Sequence, residues 1–234
     1  ARQRGQPNAA LRYLRQILVV VPDHRPTLMQ AATIHYEAGE FTQAAEFVER
    51  LLTIDPGNPE YQRMRGAIQL AAGHLDTGFG NLENVEIADF TDPKLLALLG
   101  TAYLRHGKID RGTESLKRAL ELDPKSVPIR TQLAFSRMRA GEFRKALEEL
   151  AAVRRDDPDF MLAAVLQTFG YAALKQNDEA FAIVDELVES NPKAAIVRNL
   201  RGYLHASLGD DEAARKDFQA AVSADSAFFP AYFN

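Results

Sequence analysis

Glycine and proline recur along this chain in lockstep, and that double punctuation leaves few folds open. From Gly107 a step of 34 residues reaches Gly141 and, past Lys175, Gly209; backward it reaches Gly73, Gly39 and Gly5. The same step from Pro124 reaches Pro158 and Pro192 forward, and Phe90 (an exception), Pro56 and Pro22 backward. Between the two marks lies a stretch of helical periodicity, as at 109–122, between Gly107 and Asp123-Pro124. Gly supplies the positive φ that turns one helix into the next. Pro stops the second helix, because it donates no backbone bond and restricts the residue before it. A shared period of this length belongs to a helix-turn-helix repeat array.

Three further columns keep the same period. The second helix of each pair opens on a small residue (Ala10, Ala44, Gly78, Gly112, Ala146, Ala180, Ala214). Four residues on comes a large one (Leu14, Val48, Leu82, Leu116, Leu150, Val184, Phe218). Three beyond that is an apolar one (Ile17, Leu51, Val85, Ala119, Val153, Leu187, Ala221). Steps of four and three keep the columns on one stripe, and the small residue lets two helices approach closely. The chain divides into a half repeat at 1–22, full repeats at 25–58, 59–92, 93–126, 127–160, 161–194 and 195–228, and the start of another at 229–234. A single array over 1–234 is expected. In repeat 161–194, Lys175 replaces the turn glycine, so a shifted loop with Asn177 in the left-handed conformation is expected, and with it a local distortion. No Met opens the chain and its first residues enter mid-repeat, so an excised piece of a longer array is expected.

Composition narrows the function classes. With 46% hydrophobic and 26% charged residues a large core can be buried. A net charge of −4 argues against a general nucleic-acid binder. There is no cysteine, hence no disulfide, thiolate metal site or Cys nucleophile. The apolar run 17–21 is too short to span a bilayer, so no direct membrane insertion by this segment is expected. His24, His35, His74, His106 and His205 form no HExxH and no ligand spacing. Of these, His35 and His205 are expected in the core, and His74 and His106 solvated near helix ends. Gly78-Phe79-Gly80 has neither the strand nor the Lys-Thr of a phosphate loop. The run 154–157 reads as a self-neutralising helix end, and Glu148, Glu149, Asp178 and Glu179 as a solvated face. No catalytic residue, metal ligand or cofactor is assigned.

These columns resemble the tetratricopeptide repeat (TPR) family over the whole chain. They include its small residue at position 8 (Ala32, Gly66, Gly100, Ala134, Gly202) and the aromatic three later (Tyr103, Tyr171, with His35 and His205 as departures). The resemblance implies an all-α, right-handed TPR superhelix (an α-solenoid of antiparallel helix pairs) whose first helices line a groove for a protein or peptide. More narrowly, TDPKLLALLGTAYLRHGK, LELDPKSVPIRTQLAFSRMRAGE and NLRGYLHASLGDDEAARKDFQAAV resemble the TPR-repeat lipoproteins of bacterial PEP-CTERM/exosortase and exopolysaccharide systems. That likeness implies an envelope adaptor, periplasmic or anchored at the outer membrane.

Groove positions follow from helical spacing, because steps of four then three or four define a face apart from the core stripe. Position 9 reads Thr33, Ala67, Thr101, Phe135, Phe169 and Tyr203, turning aromatic in the last three repeats. Met138 and Val165 stand around it, with Arg105, Arg139 and Asn199 as polar handles. Aromatic and Arg anchors on apolar area are the material of interface hot spots. Packing between repeats is the competing role for the three aromatics. The earlier groove, with Met29, Tyr36, Glu37, Arg63 and Leu70, is mixed. Met29, Thr33, Arg63 and Ala67 stand where a carboxylate clamp would need Lys, Arg and Asn. A non-catalytic scaffold is expected. Its rivals are a substrate-recruiting module of an enzyme and a self-association element, the latter a homodimer through Phe228, Phe229, Tyr232 and Phe233.

Overall fold

The computed structural model describes residues 5–225, with side chains from residue 9 onward. Among these residues the structure is thirteen α-helices and one 3-10 turn, with no strand. The chain forms two compact units, Ala1–Leu122 and Asp123–Asn234. The aromatic tail and the start of the last repeat lie outside the described residues.

In the first unit α1 (Gly5–Val20) packs on α2 (Arg25–Glu37), which pairs with α3 (Phe41–Ile54). Next come α4 (Pro59–Ala71) with α5 (Leu75–Leu82), the 3-10 turn Ile87–Asp89, and α6 (Pro93–Arg105) with α7 (Ile109–Leu122). The second unit holds three pairs: α8 (Val127–Arg139) with α9 (Phe143–Asp156), α10 (Met161–Ala173) with α11 (Asn177–Ser190), and α12 (Ala195–Ser207) with α13 (Asp211–Ala224).

Helix ends fall where the punctuation puts them. α3, α7, α9 and α11 each stop two residues before their proline, at Ile54, Leu122, Asp156 and Ser190. Gly39, Gly73, Gly107, Gly141 and Gly209 all have φ between 73° and 87°. The next backbone N–H then reaches back across the turn, as from Glu40 to the His35 carbonyl at 2.8 Å and from Lys108 to Tyr103 at 2.9 Å. Asn58 and Asp92 begin α4 and α6 by accepting bonds from the backbone N–H of Glu60 and Tyr61, and of Lys94.

Repeat 161–194 departs from expectation. Lys175 itself takes φ 58°, and Gln176 N–H reaches the Tyr171 carbonyl at 3.0 Å as at the glycine turns. Asn177 is simply the first residue of α11, and the loop is not shifted. The backbone bonds that close the turn, from Lys175 N–H to the Ala172 carbonyl at 2.9 Å and from Gln176 N–H to that of Tyr171, outweigh the cost of a left-handed lysine, about 1–2 kcal/mol.

The distortion sits instead at Phe90. α5 is only 8 residues long against 14 for α3 and α7. Gly78, Gly80 and Asn81 are weak helix formers, and no stop proline follows. Ile87 and Phe90 turn inward and are buried in place of a further helical turn. Val85 consequently lies outside α5 and is only half-buried.

The core is the small-against-large stripe. Val48, Leu51, Leu82, Leu116, Leu150, Val153 and Val184 are fully buried, each worth about 1.5–3 kcal/mol relative to exposure. A Cβ added at Gly66 would lie 2.6 Å from Leu82 Cγ, one at Gly100 2.8 Å from Leu116 Cγ, and one at Gly202 2.6 Å from Phe218 Cε1. Where Thr168 fills the glycine site, the residue opposite shrinks to Val184, and both are fully buried. Ile17 breaks the expected stripe at 43% exposed, because α1 turns Leu11 and Leu14 toward α2 instead.

Candidate functional site

Three of the second unit's helices present one repeated face to solvent. α10 touches both α8 and α12, so these first helices of the three pairs lie side by side. Phe135 of α8, Phe169 of α10 and Tyr203 of α12 hold the same repeat position and are 45%, 41% and 52% exposed. Each ring thus leaves about half of its surface open to solvent. Two turns earlier on the same helical face stand Leu162 and Ile196, each 50% exposed, with Pro128 also exposed at the equivalent place in α8. Two apolar rows thus cross three helices. The second row was legible as an apolar residue seven before each aromatic, where Glu60 and Lys94 stand in earlier repeats.

The other predicted site residues scatter. Met138 is half-buried against the core around Ala134 and Leu150. Val165 is buried in the core of α10–α12, because its turn of α10 faces the neighbouring helices, and it presents little to a partner. Arg139 is exposed one turn beyond Phe135, and Asn199 is half-buried on α12. Arg105 belongs to the first unit, at the end of α6, with its guanidinium 3.9 Å from Asp76.

The first unit holds a different cleft. It encloses about 600 Å³ lined by Met29, Thr33, Arg63, Met64, Asp89 and Phe90, among others. Arg63 faces Asp89 at 3.7 Å and Glu60 lines the same cleft, so it is mixed, with one cation beside two carboxylates. Leu70, expected in this groove, is fully buried, packed where α4 meets Gly78 of α5. Behind the cleft the Tyr36 hydroxyl donates to Asp92 at 3.5 Å; burial, then that carboxylate, push its phenol up to about 12.

Histidines and charges mostly build structure. His35 is buried, stacks on Phe47 at 5.5 Å and bonds Glu40 at 2.6 Å. His205 is half-buried against Phe181. His74 and His106 are both exposed, as expected, and His106 also stacks on Phe79 at 4.2 Å and reaches Asp76 at 3.3 Å. Glu149 is no solvated carboxylate: it bridges Arg130 and Arg137 at 2.9 Å each. Arg154, read as neutralised within its own run, reaches across to Glu186 of α11 at 2.8 and 3.0 Å. Arg201 ties Asp185 to the buried Asp217, whose hydrogen bond raises the guanidinium's pKa most; Asp185 adds to the rise. Gly78-Phe79-Gly80 lies within α5, with Gly78 and Phe79 buried. Among the described residues there is no cluster of three or more His, Cys, Asp or Glu placed to hold a metal ion. None of the described helices is long and apolar enough to cross a membrane.

An all-α stack of helix pairs, with small residues at each crossing and an open face on the first helices, defines a helical-repeat interaction scaffold. The chain belongs to the tetratricopeptide repeat family: one such profile matches residues 1–68 and 103–167, and a second matches 168–227. The unmatched stretch contains the shortened α5 and its 3-10 turn. No curated protein matches. Among solved structures, MamA from AMB-1 is similar at 26% identity and TM-score 0.59, covering 71% of this chain and 98% of that one. MamA from MSR-1 is similar to the same degree, at 26% identity and 0.59 over 72% and 97%. A tetratricopeptide repeat protein from Parabacteroides merdae shares the fold over 99% of this chain and 91% of its own, at 17% identity and TM-score 0.54.

Proposed function

We propose that this chain is a non-catalytic scaffold that holds a protein or peptide against the first helices of its second unit. One observation carries the proposal. α10 contains no charged residue, yet it leaves Leu162 and Phe169 about half exposed between two neighbours that do the same. Water-facing helices ordinarily carry charge on their outer side, and contiguous exposed apolar rows mark interaction surfaces. Phe135, Phe169 and Tyr203 are the anchors, Leu162 and Ile196 the apolar floor, and Arg139 and Asn199 the polar rim. Met138 and Val165 support the anchors from beneath. Repeats spaced alike from one end to the other support a single array over 1–234, with Arg105 at the equivalent of Arg139.

The three runs that resemble the PEP-CTERM/exosortase-system lipoproteins support a narrower role, an adaptor in the bacterial envelope linked to exopolysaccharide or protein sorting. Fractionating the source cells tests it: recovery in the periplasm or outer membrane is expected, and purely cytosolic recovery overturns it. For the scaffold itself, affinity capture compares the intact protein with the Phe135→Ala/Tyr203→Ala variant. Loss of the captured partner with an unchanged helical signal is expected. Equal capture by both proteins would remove the aromatic column from the site.

A further inference from the structure

The open face of the second unit favours neither sign of charge. α10 leaves Leu162, Phe169 and Ala173 exposed, and α12 leaves Ile196, Tyr203, Ala206 and Ser207, none of them charged. α8 leaves Pro128, Gln132 and Phe135 exposed, with Arg139 only at its last residue. Arg130, Arg137 and Arg201 are held by carboxylates of the second helices. Arg198 is half-buried and donates through Nε to the Pro192 carbonyl at 3.1 Å. Lys125, Asp159 and Lys193, exposed two residues before α8, α10 and α12, alternate in sign. The face is also ridged. Between its two apolar rows Thr131, Val165 and Leu200 are buried and Leu166 and Asn199 half-buried; among the described residues only Gln132 is exposed there. A trough without charge thus runs across the three helices between the rows.

We propose that this trough takes one amphipathic helix of another protein, through a stripe that carries no charge of either sign. The proposal rests on the preceding assignment of the face and adds the chemistry of its occupant. An ionised guest side chain set into the trough would lose its water and meet no counter-charge there. Charges on the guest's far side stay in water, so their sign is immaterial. The rows stand seven residues apart on each helix, about 10.5 Å, which matches the width of a helix of about 10–12 Å. A helix also bonds its own backbone, whereas an extended segment would press its N–H and C=O groups onto a largely apolar strip. A second copy of the face fits less well. About half of five large apolar side chains comes to roughly 500 Å², against about 800 Å² from each copy in a stable dimer. Ridges would also meet ridges and leave both troughs unfilled, and a flat bilayer would leave the trough unfilled in the same way.

The test uses the whole chain and fluorescent helical peptides of about 18 residues. Two carry the same stripe of Leu and Phe, one backed with Glu and the other with Lys. Two more replace the central Leu of the stripe with Glu or with Lys. Anisotropy should show the first two binding within about threefold of each other, and each changing less than about threefold between about 0.05 and 0.5 M salt. A charge in the stripe should weaken binding about tenfold or more. Phe169→Ala/Tyr203→Ala should weaken both intact stripes about tenfold or more with the circular dichroism unchanged. Ile196→Lys gives a second reading: it should weaken the intact stripes and improve binding of the stripe that contains Glu. A larger preference for either backing, a steeper salt dependence, a tolerated stripe charge or failure of every peptide to bind overturns the proposal. So does equal binding of a peptide whose helix is broken by two prolines. Co-sedimentation with phosphatidylcholine or phosphatidylserine vesicles, lost in the aromatic variant, overturns it in favour of a membrane. Concentration-dependent light scattering lost in that variant overturns it in favour of self-association. If the peptides fail while Phe135→Ala/Tyr203→Ala still loses its captured partner, the scaffold assignment survives and the uncharged helical occupant does not.

Discussion

The Tyr103 hydroxyl donates to the Glu83 carbonyl at 3.0 Å, and Arg111 donates to the same carbonyl at 2.8 Å and to that of Val85 at 3.2 Å. α5 stops early at Leu82, and the carbonyls of Glu83 and Val85 in the irregular segment that follows are capped by side chains of the next pair. Tyr103→Phe should cost about 0.5–1.5 kcal/mol, the net worth of one neutral bond. Arg111→Ala should cost about 1.5–3 kcal/mol, because its donors are charged and it spans two carbonyls. Urea unfolding checks both, and faster amide exchange confined to 83–92 should accompany them.

Gly202 and Phe218 are a matched pair. Gly202→Ala puts a Cβ only 2.6 Å from Phe218 Cε1, so overpacking should cost about 1–3 kcal/mol. Shrinking the ring in Gly202→Ala/Phe218→Val should recover part of that loss, since Thr168 with Val184 already uses the reversed sizes. A double-mutant cycle reads the coupling, and additive losses would contradict the pairing.

Lys175 holds a left-handed backbone at φ 58° where the other turns use glycine. Lys175→Gly should stabilise by about 0.5–1 kcal/mol, the relieved strain less the added freedom of the unfolded chain. Thermal unfolding of the two proteins checks the direction.

Burial and Asp92 push the Tyr36 phenol from 10.0 to about 12. The folded chain keeps this proton where the unfolded chain has lost it. The contribution to stability is therefore complete below pH 10 and disappears as pH rises through about 12. Unfolding free energy should fall across that window, and Tyr36→Phe should flatten the fall. Phenolate absorbance followed against pH checks the titration itself.

Much of the fold was legible because it rests on local chemistry. Gly39 or Pro56 acts through its own backbone, and the stripe of Ala44, Val48 and Leu51 through the pitch of one helix. Lys175 misled because a turn closed by enough backbone bonds between two packed helices tolerates a residue that its own preference argues against. Phe90 was visible as a missing proline, but the early end of α5 depends on what buries Ile87 and Phe90, which no single column records. In the site, the exposed aromatics stood where spacing put them. Val165 and Leu70 went astray because neighbouring helices, absent from any helical projection, cover them. Leu162 and Ile196 were overlooked because a lone apolar residue near a helix start resembles core until its whole row is seen.

Side-by-side urea unfolding and affinity capture of the native chain and Phe135→Ala/Phe169→Ala/Tyr203→Ala addresses the open aromatic face directly. Rings serving a partner should leave unfolding free energy within about 1 kcal/mol of native while capture is lost. A loss of several kcal/mol, or capture that persists undiminished, would show that the three rings serve the fold rather than a partner.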